Sequence, residues 1–167
     1  PICAIFNGQL HGRIESGHRA FTSLAELMAE LNMVFQFPVR IYWEDTDAGG
    51  IVFYANYLKF FERARTEWLR SLGIEQQALK SEVGGMFVVS ETRVRYHQPC
   101  RLDDVLIVET ELTNVGRVTI DLKQTVWLQA PEVRLLCAGE VRVGWVDATS
   151  LKPKRMPPNL TNVLTPT

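Results

Sequence analysis

Three cysteines and three histidines in 167 residues exclude most metal and disulfide chemistry. Cys3, Cys100 and Cys137 are odd in number, far apart and without a CxxC pair, so neither a disulfide framework nor a zinc site is expected. His11, His18 and His97 each stand without further ligands at coordinating spacing, and no metal or other cofactor is expected. No apolar run approaches the roughly 20 residues that a membrane helix requires, so no integral membrane segment is expected. The first residues lack the basic start and apolar run of a secretory signal, and a reducing cytoplasm is the expected compartment. Charge of one sign is missing too. With 18 Lys and Arg against 19 Asp and Glu, the net charge is -1 and no long block of like charge occurs, which argues against a nucleic-acid or acidic-lipid partner.

What is present suits one domain with a hydrophobic core: 46% apolar residues and 22% charged. Residues 1 to about 24 show no sustained period, and a Ser23/Glu26 capping box predicts a short helix through Leu31. The expected division is an N-terminal extension over 1–36, a domain over 37–157 and a tail over 158–167. Residues 38–44 alternate and read as a first strand. From Asn56 to Leu72 the apolar positions Tyr57, Phe60, Phe61, Ala64, Trp68 and Leu69 recur at helical spacing, and Gly73 ends the run. A further short helical turn is expected over 74–80.

Beyond Gly84-Gly85 the period becomes two, with strands expected over 86–96, 104–114, 118–128 and 133–145 and a turn at Gly116. The order of strand, helix and four more strands predicts an α+β layer fold, one long helix packed against a five-stranded antiparallel sheet. After Trp145 the pattern decays into a basic, proline-rich stretch.

Between the first strand and the helix lies Asp45-Thr46-Asp47-Ala48-Gly49-Gly50-Ile51-Val52-Phe53-Tyr54. A helix N-terminus presents unpaired N–H groups and the positive end of the macrodipole, so a carboxylate in the preceding loop lies beside a site suited to a developing oxyanion. The segment reads as an acyl-transfer site. The same residues also read as turn chemistry, since aspartate and glycine before a helix most often close a bend.

This loop, Asn56-Tyr57 and Phe61-Glu62-Arg63-Ala64-Arg65 together resemble the 4-hydroxybenzoyl-CoA thioesterase family of hotdog-fold proteins. Arg93 to Tyr96 and Pro99-Cys100-Arg101-Leu102-Asp103-Asp104 resemble the branch associated with the bacterial tol-pal cluster, whose members are acyl-CoA thioesterases. The resemblance spans residues 37 to 157 and implies hydrolysis of acyl-CoA to a carboxylic acid and free CoA, without cofactor or metal. It implies Asp47 as the catalytic carboxylate, nucleophile or general base, with Asp45 behind it. Tyr54 stands where many members of the branch carry histidine, and its backbone N–H is the expected oxyanion donor. Gly50, Ile51, Val52, Phe53 and Asn56 are expected to border the substrate, Asn56 also reading as a helix cap. Arg63, Arg65, Arg93, Arg101 and the 152–155 run are candidates for the CoA phosphates. Implied partners are acyl-CoA, a second copy of the chain in a dimer or tetramer, and an acyl carrier protein in the two alternative readings: a thioesterase acting on the carrier-bound acyl group, or an adaptor that binds without turnover.

Overall fold

The computed structural model describes residues 34–165; residues 1–33 of the expected extension, with its expected helix, His11, His18 and Cys3, lie outside the described residues. The elements are β1 (Phe35–Arg40), α1 (Asn56–Ser71), β2 (Gly85–Tyr96), β3 (Val105–Val115), β4 (Thr119–Leu128), β5 (Arg134–Asp147) and α2 (Pro158–Leu164). The strands form one antiparallel sheet in the order β1-β3-β4-β5-β2. Short helical turns, Gln76–Ala78 and Leu79–Val83, connect α1 to β2.

The helical period of α1 dictates its packing. Phe60, Phe61 and Ala64 are fully buried against the inner face of the sheet, with Val108 and Val126 beneath them. Each such aromatic contributes on the order of 1.5–3 kcal/mol before entropy is subtracted. Gly139 makes the close approach possible, because a Cβ there would lie 2.6 Å from the Phe61 ring. A second cluster packs Trp68 and Leu69 of α1 against Ile120, Val143 and Trp145.

Gln124 stands between these apolar layers, wholly buried on the inner face of β4. It donates to the Phe61 carbonyl at 3.0 Å and to Thr110 Oγ1 at 2.8 Å, and accepts from Arg65 Nη1 at 2.8 Å. The amide is thereby satisfied, as a buried polar group must be. Arg65, a candidate for CoA phosphates on sequence, is part-buried beside Gln124, where burial lowers its pKa against the opposing pull of Glu62.

Two boundaries differ from the sequence expectation. The first strand ends at Arg40, not 44: Tyr42 and Trp43 are exposed, and Trp43–Asp45 form a 3-10 turn closed by Asp45 Oδ2 accepting from the Tyr42 N–H at 3.0 Å. Residues 158–164, read as tail, form α2, whose Leu160 and Leu164 are buried beside Met156 in the second cluster. Pro158 at the first turn starts this helix without losing a bonded N–H. Among the described residues no helix is long and apolar enough to cross a membrane.

Candidate active site

The loop before α1 is a small hairpin. Thr46 and Val52 form an antiparallel bridge, Phe53 N–H donates to the Asp45 carbonyl at 2.9 Å, and Asp47 N–H donates to the Ile51 carbonyl at 2.9 Å. Val52 is buried and its N–H donates to the Cys100 carbonyl at 2.9 Å, fastening the hairpin to the segment after β2. Gly50, at φ 70°, supplies the left-handed residue that the turn requires, while Gly49 leaves room for the carboxylate: a Cβ there would sit 3.0 Å from Asp47 Oδ1.

Asp47 is exposed at the tip of this hairpin. Its Oδ1 accepts the Gly49 N–H at 2.8 Å, and its carbonyl accepts the Gly50 N–H at 3.0 Å. No described residue donates to Oδ2. One carboxylate oxygen is thus held by the turn and the other is left open, so the turn does not use up both oxygens. Asp45, by contrast, is buried and spent on the fold, its carboxylate on Tyr42 N–H and its carbonyl on Phe53 and Asn56.

Asn56 does not cap α1. The cap position is Ala55, without a side-chain hydrogen bond, and the buried Asn56 amide donates to the Asp45 carbonyl at 2.9 Å. It ties the helix start to the hairpin and does not line the neighbouring cleft. That cleft, of about 290 Å3, is bounded by Ile51, Val52, Tyr54 and Tyr57 on one side and by Tyr96 to Pro99 on the other. Ile51, Val52 and Tyr54 are therefore brought together on one wall of this cleft. Gly50 and Phe53 are exposed outside the cleft, the Phe53 ring leaning on Tyr54 with centroids 4.6 Å apart.

Tyr96, Gln98 and Pro99 are cleft residues that the sequence did not single out for this role. Tyr57, whose helical spacing marks it as core, is indeed buried, its hydroxyl 3.2 Å from Cys100 Sγ. Burial pushes the thiols of Cys100 and Cys137 up, to about 11 and about 12, so neither is a thiolate at neutral pH. The Tyr57 hydroxyl is raised as well, chiefly by burial, and stays protonated.

At the helix start, the described backbone hydrogen bonds use the N–H groups of Phe53 and Asn56, and none uses that of Tyr54. Asn56 N–H donates to the Phe53 carbonyl at 2.9 Å. In a trans peptide the carbonyl and the following N–H point in opposite directions, so the Tyr54 N–H faces away from the helix. Of the basic candidates, Arg93 pairs with Glu91 and Lys154 with Asp147, while Arg63 and Arg101 show no side-chain bond among the described residues.

The Thioesterase superfamily pattern matches residues 49–134, beginning just past Asp47. An acyl-CoA thioesterase, YbgC, of Haemophilus influenzae is 46% identical over 123 residues, covering 74% of this chain and 88% of the relative. An acyl-CoA thioester hydrolase, YbgC, of Escherichia coli is 43% identical over 127 residues, covering 76% of this chain and 92% of the relative. The structure of 4-hydroxybenzoyl CoA thioesterase from Pseudomonas sp. strain CBS-3 superposes with a TM-score of 0.72 at 21% identity, covering 77% of this chain and 96% of that one. That likeness shows the hotdog fold.

Proposed function

The chain belongs to the thioesterase superfamily and is an acyl-CoA thioester hydrolase, and on that premise we propose how its residues carry the reaction. The Asp47 carboxylate, through Oδ2, either attacks the thioester carbonyl or takes a proton from the water that does. In the first route the C–S bond breaks, CoA leaves as thiolate, and water then cleaves the mixed anhydride. In the second, hydroxide adds directly and the thiolate leaves from the tetrahedral intermediate. In both, the Tyr54 N–H and the electropositive start of α1 stabilise the oxyanion. The observation that carries the reading is the split environment of the carboxylate, one oxygen bonded to Gly49 N–H and the other free of protein donors among the described residues. Ile51, Val52 and Tyr54 line the approach of the acyl group. Gly50 sets the bend, and Phe53 and Asn56 support it from either side.

The test is thiol release from short, long and aromatic acyl-CoA thioesters, with the same acyl groups offered on acyl carrier protein at matched length. Release from CoA with faster turnover than from the carrier protein is the expected result. Binding without release from any thioester overturns the hydrolytic reading in favour of an adaptor. A cytoplasmic setting suits the two free, buried thiols, Cys100 and Cys137.

The working unit in this proposal is a homo-oligomer. β2 is twelve residues long, pairs among the described residues on one side, with β5, and exposes Val88 and Val89. A long edge strand with exposed backbone groups is a template for pairing, and a second copy placed antiparallel along it would extend the sheet and bring two helix starts into one assembly. Replacing Val88 and Val89 together by lysine sets like charges against each other across such a seam. The expected outcome is a shift to monomer in light scattering, with turnover reduced about 100-fold or more, the size of one lost general-base or oxyanion contribution. A wild-type chain that is monomeric at working concentration and fully active overturns the shared site.

A further inference from the structure

Tyr96 ends β2, yet its hydroxyl reaches the start of α1. It donates to the carbonyl of Tyr54 at 3.0 Å. That carbonyl is not taken up by the helix, whose first turn closes one residue later, with Leu58 N–H on the Ala55 carbonyl at 3.1 Å. Without Tyr96 the peptide between Tyr54 and Ala55 would have no described partner for its carbonyl and could turn about its flanking bonds. The Tyr96 ring, about half exposed, is braced by two neighbouring rings. It meets the Tyr57 ring edge-on at 5.5 Å and the Tyr54 ring at 6.2 Å, and Tyr57 is anchored through Cys100. All three rings bound the cleft beside the hairpin that carries Asp47.

We propose that Tyr96 is a positioning residue for thioester cleavage: by holding the Tyr54 carbonyl it locks the orientation of the helix start that faces the reacting carbonyl. The proposal rests on the reading of that helix start as the oxyanion site. Tyr54 is then clamped on both sides. Its N–H direction is set by the Phe53 carbonyl bonded to Asn56 N–H, and its own carbonyl is set by Tyr96. A hydrogen bond to a peptide carbonyl also polarises the N–H on the same peptide, here that of Ala55, making it the stronger donor. Burial raises the Tyr96 pKa, which keeps the hydroxyl a donor throughout the neutral range.

Tyr96→Phe keeps the ring and removes only the donor. Its kcat on a short acyl-CoA, per mole of folded enzyme, is expected to fall about 10- to 100-fold, the scale of a small misalignment at a reacting centre. KM should stay within about 2-fold, since the donor acts on alignment and not on uniform binding. The Tyr54 carbonyl 13C and Ala55 amide 15N resonances should move while the rest of the spectrum stays in place. Unchanged kcat overturns the proposal. So does a lower Tm with wild-type kcat per folded molecule, which assigns the residue to packing alone. Asp47→Asn in the same assay separates the two readings: if that variant stays active the site reading itself fails, and if it is inactive while Tyr96→Phe turns over normally, only the role of Tyr96 falls.

Discussion

Asp47→Asn is expected to lose at least about 10²- to 10⁴-fold of kcat for acyl-CoA hydrolysis, the range that a positioned base or nucleophile contributes, while the folded protein survives. The substitution is close to isosteric, and the amide oxygen of asparagine can still accept the Gly49 N–H that Asp47 Oδ1 accepts at 2.8 Å. The bonds of Asp47 N–H to Ile51 and of Gly50 N–H to Asp47 are backbone and remain. What disappears is the negative charge and the open oxygen. An amide nitrogen in the place of Oδ2 can neither attack a thioester nor accept a proton from water. The measurement is thiol release alongside thermal unfolding, with the mass of the peptide carrying the substitution checked for deamidation. A sample of the variant free of deamidation that retains wild-type kcat removes Asp47 from the mechanism.

The same experiment separates Asp47 from Asp45, which the sequence places two residues away with the same chemistry. In the fold they differ completely. Asp45 is buried and its carboxylate bonds Tyr42 N–H, so its loss acts on the hairpin itself. Asp47 is exposed and bears on stability only through one turn contact. A single turnover in isotopically labelled water bears on the two routes available to Asp47: label entering the Asp47 peptide marks an anhydride opened at the aspartyl carbon, an outcome that direct attack by water does not give.

The sheet and helix were legible because each has one buried face. Val108 and Leu106 alternate with half-buried Ile107 and Glu109 along β3, and Phe60, Phe61 and Ala64 recur on one side of α1, so the periods two and 3.6 appear directly in the residue order. Where apolar residues are exposed, the same signal misleads. Tyr42 and Trp43 continue the alternation of β1 in letters but face solvent, and the strand has already ended. In α2, Leu160 and Leu164 lie four apart as a helix requires, but a segment that opens on Pro157-Pro158 and carries only two buried apolar side chains is too short to show a period.

Residue order revealed the turn before the helix and its carboxylate. It could not reveal what reaches them from elsewhere in the chain. The link from Tyr96 to Tyr54 spans 42 positions and the one from Arg65 to Gln124 spans 59, and both depend on strand register. For Gln124 a signal did exist. It falls between Leu122 and Val126 on the inward series of β4, and a polar residue at a core position calls for buried partners. For Tyr96 the terminal position on an edge strand carries no such mark.

Gly85→Ala is expected to be the most destabilising glycine-to-alanine change among the described residues. In sequence Gly84-Gly85 reads as one break before β2, but the two glycines act for different reasons. Gly84 occupies the left-handed region at φ 66° and ends the preceding helical turn. Gly85 has no such requirement; it is needed for space. A Cβ there would lie 2.2 Å from Trp145 Cζ2 and 2.6 Å from Cε2, distances that van der Waals contact forbids. The indole cannot readily retreat, because Trp145 is fully buried and its ring packs edge-on against Phe87 at 5.0 Å. Either β2 shifts away from its pairing with Asp147 or the second core cluster repacks. Overpacking of this kind costs about 1–3 kcal/mol and sometimes more, which in a domain of this size lowers Tm by roughly 2–4 °C per kcal/mol. Gly50→Ala is the contrast, with no atom within 4 Å of the added methyl and only the φ of 70° to oppose it, a penalty of about 1–2 kcal/mol. Because Trp145 belongs to the cluster that excludes Val52, Tyr57 and Cys100, turnover per folded molecule should be preserved in Gly85→Ala. A Tm within about 2 °C of wild type would show that the indole has room to move, and the close approach of β2 to Trp145 would then not be what requires glycine at 85.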